Sequence, residues 1–73
     1  MKHYILLTTA YCLFTAYGIA YAEYDGNRPI LIETYPDLCN TASPVERLVE
    51  VCNRGRLDPS HLRDVVEDFL NDR

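Results

Sequence analysis

Cys39 and Cys52 are the residues of this chain best suited to chemistry, and the chemistry they suggest is cross-linking. Twelve residues separate them, a spacing that fits neither a redox C-x-x-C motif nor a zinc-binding pair. His61 stands near Asp58, Asp64 and Asp68, but no second histidine or cysteine pair completes a ligand set. That cluster reads as a solvated helix face, and no metal is expected. Glu67 and Asp68 are adjacent, diverge on a helix and cannot share a substrate. Ser43 and Ser60 are accounted for by helix starts, so no serine has histidine and acid support. With no nucleophile, base or glycine-rich cradle, the chain reads as a non-enzyme without a cofactor.

Charge narrows the partners. The chain carries eleven acids against seven Lys and Arg, a formal net charge of −4. An acidic chain without a basic cluster is poorly suited to nucleic acid or to anionic membranes. What remains is recognition of a protein.

The elements that position these residues begin with an apolar N-terminal run. Lys2 and His3 precede Tyr4–Ala20, and Ala20-Tyr21-Ala22 places small residues at the −3 and −1 positions before Glu23. This layout predicts a signal peptide over 1–22, with cleavage after Ala22 and no membrane insertion afterwards. Cys12 would leave with it, and Tyr11 before it is too bulky for a lipid-attachment site. Cys39 and Cys52 would remain as an even pair bound for an oxidising compartment, which predicts a disulfide. The rival pairing is a disulfide-linked dimer.

Residues 23–38 read as an extended arm. Asp25-Gly26 signals a turn, and Ile30, Leu31, Ile32 and Tyr35 lie between Pro29 and Pro36. The arm either covers a groove or offers a strand to a partner's sheet edge.

Residues 39–73 read as a disulfide-stapled helical hairpin, which makes the fold class all-α. Ser43-Pro44-Val45-Glu46 has the form of a capping box and opens a helix over 44–54. Val45, Leu48, Val49 and Cys52 form its apolar stripe, and Gly55 supplies a left-handed end. Asp58 and Pro59 open a second helix over 59–71, with Leu62, Val65, Val66, Phe69 and Leu70 as its stripe. The two stripes are expected to face each other.

The sequence therefore predicts a secreted, extracellular peptide that binds an extracellular protein, a receptor or channel, in the manner of a toxin-type venom or effector peptide. The alternatives are an endogenous signalling peptide or hormone, and a small bacterial periplasmic interaction protein. The expected recognition surface is Arg56, His61, Arg63 and Glu67, with the 28–35 arm second.

Overall fold

A computed structural model describes residues 1–71. Three antiparallel strands, β1 (Lys2–Ala10), β2 (Thr15–Asp25) and β3 (Arg28–Cys39), form one sheet in the order β1-β2-β3. Two helices follow, α1 (Ala42–Arg54) and α2 (Leu62–Asn71), with a 3-10 turn at Pro59–His61 between them. The chain is a two-layer sheet-and-helix domain and not an all-α hairpin.

Alternation explains the central strand. Tyr17, Ile19 and Tyr21 point to one face of β2 and meet Thr8, Leu6 and Tyr4 of β1 in register. Across that face lie Val45 and Cys52 of α1 and Leu62 and Val66 of α2, which complete the core with Tyr4, Ile19 and Leu38. The opposite face of β2 carries Ala16, Gly18, Ala20 and Ala22. Ala16, Ala20 and Ala22 are buried there, and at Gly18 the backbone of β3 passes very close. A Cβ on Gly18 would stand 2.0 Å from the Tyr35 carbonyl oxygen.

Both turns of the sheet are built locally. In the β1–β2 turn the Tyr11 amide donates to the Phe14 carbonyl at 2.8 Å, and the two rings stack with centroids 4.7 Å apart. Between β2 and β3, Gly26 takes φ 64° while Asn27 stays at negative φ, the pattern of a two-residue type II′ hairpin.

The helical half differs from expectation in register and in partner. α1 begins at Ala42, and its N-cap is Thr41, without a side-chain capping bond, so Ser43 lies inside the helix. Residues 59–71 divide into the 3-10 turn and α2, with Asp58 Oδ1 accepting from the Ser60 amide at 2.9 Å. The apolar stripes turn to the sheet, α1 across all three strands and α2 against β3, and not chiefly to each other. A sheet offers a broader apolar surface than one short helix, so both helices bury more by docking on it.

The expected staple is also corrected. Cys39 and Cys52 are both thiols, as is Cys12, and no disulfide joins them. Cys52 is packed in the core at 3% exposure. The Cys39 sulfur lies 3.3 Å from the Thr41 hydroxyl. An even cysteine pair in an oxidising compartment predicts the bond, and a fifty-residue chain would need its stabilisation. With residues 1–22 in the sheet, Tyr4, Ala16, Ile19, Ala20 and Ala22 are all buried and fill that core.

Candidate functional site

Two surfaces stand out from the sheet's two edges. Along β3, Ile30, Leu31 and Ile32 are 54%, 47% and 52% exposed, three consecutive large apolar residues on an outer strand. Pro29 and Pro36 bracket them and have no amide to offer, as is usual for proline on an edge. Register irregularities between Tyr21 and Ala22 and between Tyr17 and Ile19 loosen the pairing beside this stretch. Backbone groups of β2 alternate in direction, and the Tyr24 amide donates toward β1, to the Met1 carbonyl at 2.8 Å. Residues of β3 opposite such positions, Leu31 with Ala22 and Thr34 with Ala20, therefore turn their own N–H and C=O outward. Next to them Glu33 carries an Oε2 that is out of solvent and has no hydrogen-bond partner.

The β1 edge is closed at its first turn of contact with α1. The Asn53 side-chain amide takes both backbone groups of Tyr4, accepting its N–H at 2.7 Å and donating to its carbonyl at 2.9 Å. The Tyr4 hydroxyl donates to the Leu57 carbonyl at 2.7 Å. Burial is the main reason its pKa is pushed up to about 12, and the nearby Cys52, Tyr21, Asp58 and Glu33 act in the same direction. Burial likewise raises the Cys52 thiol.

These bonds hold open a cleft of about 490 Å³ lined by Met1, Lys2, His3, Tyr4, Tyr21, Asn53, Arg56 and Leu57. Its far wall is the end of α1. There the Leu57 amide donates to the Cys52 carbonyl at 3.0 Å and the Arg56 amide to the Asn53 carbonyl at 3.2 Å. This is the Schellman arrangement, with the left-handed residue one place later than the sequence suggested. Gly55 is right-handed at φ −81°, and Arg56 takes φ 50°.

The residues expected as a recognition surface are not one site. Arg56 lines the cleft. Arg63 and Glu67 pair with each other at 3.4 Å on the exposed side of α2. His61 is exposed in the 3-10 turn, where its amide donates to the Asp58 carbonyl at 2.9 Å. The carboxyl of Asp58 is held below the usual carboxylate range, chiefly by the Ser60 amide and hydroxyl and also by His61. Lys2, His3, Tyr4 and Tyr21 were passed over because they lay in the presumed export signal. The alternation of aromatic and small residues through Tyr17–Ala22 was the signal that could have found them.

Among the described residues no group of His, Cys, Asp or Glu could hold a metal ion, and no helix is long and apolar enough to cross a membrane. By architecture the described residues form a small two-layer α+β domain with an open sheet edge and a cleft. The chain belongs to a family of unknown function (DUF6514), whose model matches residues 2–72. The match runs through both β1 and β2. Comparison with curated proteins and with solved structures yields no match.

Proposed function

We propose that this protein is a non-catalytic protein-binding module that receives an extended segment of a partner along β3. The observation that carries this reading is the run Ile30-Leu31-Ile32, about half exposed on an outer strand. Soluble chains usually protect such an edge, because unpaired backbone groups beside apolar side chains invite a further strand. Here the outward backbone of Leu31 and Thr34 offers two donors and two acceptors to an added strand. The side chains of the triplet supply apolar contact. Main-chain pairing gives such complexes their affinity, and flanking side chains give their selectivity.

The reading takes the whole chain as the working unit, because cleavage after Ala22 would remove β1 and most of β2. Intact mass of the protein from its own cells tests this part, with retention of residues 1–22 expected. For the edge itself, a photo-crosslinking residue at position 30 is compared in three backgrounds. Partner crosslinking should persist with Val51→Lys, an exposed apolar residue on α1, and be lost with Leu31→Lys or Thr34→Pro. Crosslinks indifferent to the β3 substitutions would rule the edge out.

A further inference from the structure

The cleft between β1 and the end of α1 does a different job from the β3 edge, and its composition says which. Among the described residues, Arg28, Arg47, Arg54 and Arg63 are not part of its lining. Of these, Arg54 and Arg63 are engaged with Glu50 and Glu67 on their own helices. Lys2 and Arg56 line the cleft, neither is in an ion pair among the described residues, and no acidic residue lines it with them. Carboxylates stand nearby, since Glu23 lies opposite Lys2 in the β1–β2 pairing and Asp58 and Glu33 act on Tyr4, but none of them enters the lining.

The α1 terminus does not use these cations. A helix end carries partial negative charge that can recruit them. Here the carbonyls of Val51, Cys52 and Asn53 already accept backbone amides, and that of Leu57 accepts the Tyr4 hydroxyl. Arg56 also stands in the left-handed region, where glycine is the common occupant. An arginine kept in that conformation is a strained residue, and strain of this kind gathers at binding positions.

The remaining walls are apolar and aromatic. Tyr4 and Tyr21 lie with ring centroids 4.9 Å apart, and Leu57 closes the side. A volume of about 490 Å³ suits a small organic molecule.

We propose that this cleft binds a small organic anion with a flat apolar body, its phosphate or carboxylate group held between Lys2 and Arg56 and its body against Tyr21 and Leu57. The Asn53 bonds to Tyr4 fix the two walls before the ligand arrives. Lys2 supplies a point charge and Arg56 a planar fork, the pair of donors that an anionic oxygen cluster accepts best.

Amide and side-chain NMR shifts of the full chain test the site, with adenosine monophosphate, benzoate, inorganic phosphate and neutral adenosine as probes. Adenosine monophosphate or benzoate should shift Tyr4, Asn53, Arg56 and Leu57, with adenosine at least about tenfold weaker and added salt reducing the effect. A response to adenosine monophosphate alone assigns the group to phosphate, and a response to benzoate as well assigns it to anionic oxygen in general. Arg56→Gly keeps the left-handed turn and removes the charge, so it should weaken binding about tenfold while the fold is retained. Lys2→Gln should do the same on the opposite wall. The proposal is overturned if neither organic anion moves these residues at about 10 mM, if adenosine matches them, or if Arg56→Gly binds as well as the parent.

Discussion

The two edges of this sheet are treated differently. The outer side of β1 is covered where it matters, because Asn53 reaches from α1 and satisfies both backbone groups of Tyr4. Along the outer side of β3, by contrast, three large apolar residues stand half exposed. One edge is fastened to the helical layer and forms the wall of a cleft. The other is open to another chain. In a domain this small, closing an edge costs a helix face and leaving one open invites association, so the asymmetry separates a fastened edge from the edge proposed for recognition.

Gly18→Ala attacks the contrast most strongly, because it pushes β3 off the sheet. The new methyl meets the backbone of Tyr35 and Pro36, which cannot rotate away as a side chain could. A loss of about 3 kcal/mol or more is expected, read as the collapse of cooperative unfolding in urea. Retained stability would mean that β3 is held more loosely than its register implies.

Alkaline titration tests the fastened edge next. The Tyr4 pKa is raised to about 12, so the folded state keeps the phenol protonated after the unfolded chain has lost its proton. That stabilisation is fully present below about pH 10 and is lost as pH rises toward 12, on the order of 2–3 kcal/mol. Melting temperature measured between pH 8 and 12 should fall in that window, and Tyr4→Phe should flatten the fall. A profile identical in Tyr4→Phe would remove Tyr4 from the account.

Asn53→Ala uncovers β1. It strands the amide and carbonyl of Tyr4 at a partly buried place, at a cost of about 1–3 kcal/mol. It should also make the β1 edge sticky, seen as concentration-dependent association that the parent lacks on that side. Stability without association would show that something else covers β1.

Arg56→Gly has the smallest expected effect and the opposite sign. Relief of the left-handed strain should stabilise the fold by about 0.5–1 kcal/mol in chemical denaturation. A destabilised variant would mean that the arginine side chain supports the turn by contacts of its own.

The helical part was legible because its signals are local. Apolar spacing over Val45–Cys52 and Leu62–Phe69, the Asp58 cap and the Glu50–Arg54 pair all depend on residues a turn apart, and all are present. The strands were misread for a physical reason. Tyr17, Ile19 and Tyr21 face the helices, while Ala16, Gly18, Ala20 and Ala22 alternate with them on the other face, where at Gly18 the backbone of β3 comes close. Small residues two apart after an apolar run look the same whether a peptidase or a neighbouring strand requires them.

By itself the sequence determined two amphipathic helices, a turn at Gly26 and an acidic charge. Only the tertiary structure decided what the helices face, which edge stays open and where Lys2 and Arg56 meet. Those outcomes depend on pairings between residues about fifty positions apart, such as Tyr4 with Asn53 and Leu57. Helical periodicity is written within a few residues. The partner of a strand, and the face it turns inward, is settled only when the distant chain arrives.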